Sequence, residues 1–166
     1  MATSFDTLQR SDTVRYGICG GIWIMTLFAK PTAADMNLAR AALKSTLVRH
    51  PDGFPTLTWI LPEAGFSMDA DARQAAATVT REFNASILAM ATLIEGEGFQ
   101  AATVRAIIAG LDLMARASAP KKTFADLRAA VVWSVSLRPR RDRDAGEVDG
   151  IVESLAAMRR ELTGGR

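Results

Sequence analysis

A chain of 166 residues that is 49% hydrophobic is long enough for one domain with a proper core and too short for two comfortable ones. Twenty basic against eighteen acidic side chains leave a formal charge of +2, interspersed along the chain, which gives no electrostatic reason to expect a nucleic-acid partner. A single cysteine excludes an internal disulfide and any multi-cysteine metal site, and no uncharged apolar run approaches the roughly 18 residues of a membrane span, so a cytoplasmic protein with no membrane partner, metal or other cofactor is expected.

Residues 1–12 read as an N-terminal extension, with Asp6 and no cleavable apolar core. Val14, Tyr16 and Ile18 then alternate with Arg15, Gly17 and Cys19, the period of a strand with one face toward a core. Gly20-Gly21 supplies the positive φ values of a tight hairpin spanning residues 13–29. The second strand carries Trp23, Met25 and Phe28 in a nearly continuous apolar run, so it should be covered on both faces. Thr32 can cap a helix in which Met36, Ala39, Leu43 and Leu47 recur at helical spacing. The sole histidine, His50, stands at the end of that helix and reads as a capping or surface residue, because the sequence shows it no catalytic partner.

Residues 56–61 form the third predicted strand, ended by Pro62. Ser67 or Asp69 caps the next helix, whose stripe of Ala72, Ala75, Ala76, Val79 and Phe83 suggests close approach to a sheet. Residues 86–94 read as a buried parallel strand, 101–117 as a helix with Val104, Ile107, Ile108 and Leu111 on one face, and 121–123 as a short fifth strand. Thr123-x-x-Asp126 opens the helix that closes the domain. Apolar strands alternating with amphipathic helices predict a largely parallel sheet, since parallel neighbours need crossover connections. The charged, proline-bearing stretch 138–146 reads as a solvated linker. Beyond it, a helix over 147–163 carries a seam of Val148, Ile151, Val152, Leu155, Met158 and Leu162. So short a helix is marginal alone, so the seam must bury against its own domain, slightly favoured by the short linker, or against another chain.

The order of elements over residues 14–137 resembles the STAS domain, the fold of bacterial anti-sigma-factor antagonists and related STAS-like proteins. Two stretches carry the resemblance locally: FADLRAAVVWSVSL at 124–137, similar to the closing strand and helix of such domains, and Ser67-Met68-Asp69-Ala70 after the third strand, where their regulatory helix begins. It implies an α/β domain at 13–137 with a mixed five-stranded sheet, an N-terminal β-hairpin followed by βα units, helices packed on the sheet and an appended C-terminal helix. It also implies a regulatory role through protein contacts. Antagonists of this kind carry a phosphoaccepting serine in an Asp-Ser-Ser-Gly type stretch, and here Asp69-Ala70-Asp71-Ala72 lacks the hydroxyl: the chain has lost the phosphoswitch, the favoured reading, or Ser67 substitutes as the candidate phosphorylation site in a different geometry, or the correspondence is offset by a few residues.

Glu95 and Glu97 flank Gly96 just past a buried strand, where open α/β sheets place their ligands. With Glu63 beyond the neighbouring strand they could hold a cation or work as acid and base. The loop has no Walker lysine and no G-x-G-x-x-G, and its glutamates repel phosphate. The tryptophans read as core, the methionines as gap fillers, and Lys121 and Lys122 as guards of an edge strand. No nucleophile, base and oxyanion donors assemble into a catalytic set. The chain therefore reads as a non-enzymatic regulatory or scaffolding module acting through a protein partner or self-association, with the terminal seam as its contact surface. The alternative is a small-ligand-binding protein or weak hydrolase built on Glu63, Glu95 and Glu97.

Overall fold

The computed structural model describes residues 3–65, 67–96 and 98–164. Its strands lie side by side in the order in which the chain makes them: β1 (Asp6–Arg10), β2 (Val14–Cys19), β3 (Ile22–Leu27), β4 (Phe54–Ile60), β5 (Ile87–Ile94) and β6 (Lys121–Phe124). The first three form an antiparallel meander and β3 to β6 run parallel. The molecule is thus α/β with a mixed sheet, but the sheet has six strands rather than the five expected. The extra one is β1, inside the segment read as an extension. It is a short edge strand of mostly exposed residues with an irregular register between Thr7 and Gln9. An edge strand is held by its backbone ladder and needs no apolar alternation, so it leaves little trace in the sequence.

Three helices, α1 (Ala33–Arg49), α2 (Ala70–Glu82) and α3 (Phe99–Ala115), connect successive parallel strands. Right-handed crossovers that always step in the same direction put all of them on one face. Their apolar sides and that face share one core around Tyr16, Trp23, Phe54 and Phe83. The opposite face, with Ile22, Ile24, Leu57, Trp59 and Leu93, is covered by α4 (Leu127–Ser136) and α5 (Val148–Gly164). β3 feeds both cores, which is why it is apolar almost throughout. Asp126 caps α4, its carboxylate accepting from the Ala129 amide at 2.8 Å, so the hydroxyl of Thr123 is not the cap. Among the described residues no helix is long and apolar enough to cross a membrane.

The C-terminal seam packs within its own chain. Ile151, Leu155 and Met158 are buried and Val148, Val152 and Leu162 partly buried against the second core. The segment 138–146 is largely exposed, at Arg140, Arg141 and 143–145, but is anchored at two points: Arg138 donates to the carbonyls of Gly20 at 2.6 Å and Gly146 at 3.2 Å, and Asp142 is buried. A guanidinium can bond buried carbonyls as well as water, so a charged segment can hold such anchors while most of it faces solvent. Gly20 adopts φ +56°, and a Cβ there would meet the Ile151 side chain, so the hairpin tip and α5 fit only without one.

One buried carboxylate joins the meander to α1. Asp35 completes a capping box with Thr32 and also accepts from the hydroxyls of Ser11 at 2.6 Å and Thr13 at 2.7 Å. Burial alone would raise its pKa, but the bonds from Ser11, Thr13 and Thr32 outweigh burial and hold it below the usual carboxylate range. A depressed pKa contributes stability that is present at neutral pH and lost as pH falls through the folded-state value. Asp35→Asn is therefore expected to destabilise by about 2 kcal/mol at neutral pH, with the gap to wild type narrowing in acid. Urea unfolding across pH checks this, and a gap that widens in acid contradicts it.

Candidate functional site

Glu95 follows β5 at the carboxyl edge of the sheet, with its amide bonded to the Ile60 carbonyl at 3.1 Å. Its carboxylate is fully engaged. Arg159 of α5 donates from Nε to Oε1 at 2.7 Å and from Nη2 to Oε2 at 2.5 Å, and the Trp59 indole donates to Oε1 at 2.8 Å. A two-pronged guanidinium–carboxylate contact of this kind is directional as well as strong. Glu63 lies exposed on a 3-10 turn (Pro62–Ala64), and its charge also acts on Arg159. Glu97 lies outside the described residues. The corner expected to gather carboxylates for a ligand thus holds Glu95 as a clamp on α5, with Glu63 beside it. Sequence reasoning missed Arg159, because a cation on the polar side of a terminal helix looks like any solvated charge.

The other reactive candidates are also engaged. The His50 amide donates to the Thr46 carbonyl at 2.8 Å, ending α1, and its Nδ1 lies 3.0 Å from Asp142 Oδ2. A carboxylate can only accept, so this contact sets the hydrogen on Nδ1. Burial pushes the Cys19 thiol up, with a contact from Ser154 pulling the other way, which leaves it an unreactive occupant of the second core. No group of three or more His, Cys, Asp or Glu able to hold a metal occurs among the described residues.

A concave feature lies elsewhere, between the sheet and α2 and α3. A cavity of about 250 Å³ opens there. Its floor includes Met25, Thr58, Thr92 and Thr123, which are in register across β3, β4, β5 and β6. Its roof is Ala76 and Thr80 of α2 with Ile107, Ile108 and Leu111 of α3. The gap follows from side-chain size, since alanine and threonine on α2 meet threonines on the sheet and cannot span the distance between the layers. Four of the seven methionines line it: Met25, Met36, Met68 and Met90. Gly65, exposed Ser67 and Met68 form one end, just before the N-cap Asp69. At the other end Asp112 pairs with Lys121 at 3.6 Å. Burial raises the pKa of Asp112 while the Lys121 ammonium opposes the shift.

No family model, curated protein or solved structure matches this chain.

If Glu95 is a clamp, breaking it should loosen α5 selectively. Arg159→Ala and Glu95→Gln are each expected to raise amide exchange in α5 about tenfold or more, with a coupling of about 1–3 kcal/mol between the two sites in a double-mutant cycle. Hydrogen exchange read by mass spectrometry checks this, with β3 and β4 as the internal reference. Unchanged protection of α5 would contradict the assignment.

Proposed function

We propose that this protein is a non-catalytic ligand-binding module whose site is the cavity between the sheet and α2 and α3. The observation that carries the reading is an apolar chamber of about 250 Å³ floored by threonines. An apolar cavity of about 150 Å³ accommodates benzene, so this one suits a ligand of about ten heavy atoms. Binding pockets are typically concave, mostly apolar and furnished with a few polar groups, and this one has that composition. Catalysis is not favoured, because the ionisable groups near the chamber are few and Asp112 and Lys121 are already paired.

A regulatory role for such a module has support in α3. Its inner side lines the cavity while Leu113 is 81% exposed on its outer side, so α3 is the element that would transmit occupancy to a protein partner. The terminal seam is less suited to that contact, being covered by its own sheet. The order β2–β3–α1–β4–α2–β5–α3–β6–α4 supports reading the domain as a STAS-like relative, and the exposure of Ser67 beside the cavity supports retaining it as a modification site. A cytoplasmic setting suits the single buried thiol.

Methionine-methyl NMR tests the reading with 1-octene as probe. Burial at about 0.8 kcal/mol per methylene over about eight groups corresponds to a Kd on the order of tens of micromolar. The expected result is saturable shifts at Met25, Met36, Met68 and Met90, none at Met158 in the opposite core, and loss of binding in Ala76→Phe. Shifts confined to Met158, or no shifts, would refute it.

A further inference from the structure

We infer that the cavity selects a single-chain ligand whose polar end is uncharged and hydrogen-bonding, such as a medium-chain alcohol, ketone or ester. The inference rests on the proposed binding role of the cavity and specifies its ligand class.

The first argument is a pair of hydroxyl-bearing side chains that line the cavity. Thr92 is only 9% exposed, and Thr58 lies beside it in register on β4. Neither hydroxyl has a side-chain hydrogen-bond partner among the described residues, whereas Thr56, one pleat away on the same face, donates to the Ala89 carbonyl at 3.2 Å. Valine would satisfy the strand preference for β-branched residues and pack as well, with no polar atom to satisfy. Two hydroxyls side by side and open to an otherwise apolar chamber offer a donor and an acceptor to a neutral polar group.

The second argument is charge. Lys121 lies 3.6 Å from Asp112 and also donates to the Ala117 carbonyl at 3.0 Å. The Lys122 ammonium stands 5.4 Å from the ring centre of Phe124, which packs with the opposite core. An entering carboxylate or ammonium would have to break the Asp112–Lys121 pair or lose its hydration without compensation, and either penalty is large in an apolar site. A hydroxyl or carbonyl escapes both.

The third argument is shape. The floor crosses from β3 to β6, three strand spacings of about 4.8 Å, or about 14 Å end to end. Room for about ten heavy atoms spread over that length suits a chain rather than a fused ring.

Titration of the 166-residue chain with 1-octene, octan-1-ol, octanoate and octylammonium, followed by the same methionine-methyl signals, tests the class. Octan-1-ol is expected to bind, with octanoate and octylammonium about a hundredfold weaker or worse. Replacing both hydroxyls, Thr58→Val with Thr92→Val, should weaken octan-1-ol about tenfold and leave 1-octene unchanged or tighter, which also shows that the variant is folded. The single substitutions give the same reading should the pair fail to fold. Octanoate or octylammonium binding as tightly as octan-1-ol, or full octan-1-ol affinity in the double variant, overturns the inference while 1-octene binding keeps the cavity role intact. Failure of all four probes in wild type overturns both.

Discussion

Strands laid down in chain order, each joined to the next by a crossover of the same hand, oblige every connecting helix to land on one side of the sheet. The other side is then left bare at the end of β6, although Ile22, Ile24, Leu57, Trp59 and Leu93 make it as apolar as the first. Everything after residue 126 answers that constraint. Helix α4 returns over β4 and β5, the charged segment turns the chain at the hairpin tip, and α5 completes the cover. The Arg159–Glu95–Trp59 contact adds direction to a packing that hydrophobic burial alone would leave free to slide.

The two faces consequently differ in kind. The face under α4 and α5 is filled by large aliphatic and aromatic side chains and pinned at its margin by a charged clamp. The face under α1 to α3 is well packed at its β2–β3 end, where Tyr16 and Trp23 stack at 5.5 Å between ring centres. Toward β6 the packing thins out. The last strand has four residues, mostly exposed, and the sheet offers threonines where α3 crosses it. A protein that needed only stability would gain by filling that space. The open space beside the hydroxyls of Thr58 and Thr92 is what the proposed binding role rests on.

Much of this architecture was legible in the residues. Gly20-Gly21, the apolar run of β3, the alanine stripe of α2 and the terminal seam each marked an element that is present. What escaped were features that depend on distance in space rather than on pattern along the chain. β1 pairs through its backbone and carries little apolar signature. The anchor that Arg138 makes within the charged stretch 138–146 escaped because Gly20, whose carbonyl it binds, lies 118 residues away. The position of Glu95 at a strand end was readable, but its partner is 64 residues further on. The cavity was harder still, since alanines on a helix predict that it can approach a sheet closely and cannot say that it does not. The methionines read as gap fillers, and four of them surround a gap that remains.

A crystal of the unliganded protein pressurised with xenon tests the central claim most directly, because xenon occupies dry apolar cavities without demanding any specific chemistry. The expected result is a xenon site between Met25 and Met90 on the sheet and Ile107 and Ile108 on α3, with none in the core beneath α5. A structure in which α3 closes onto β5 and β6 and takes up no xenon there would contradict the account.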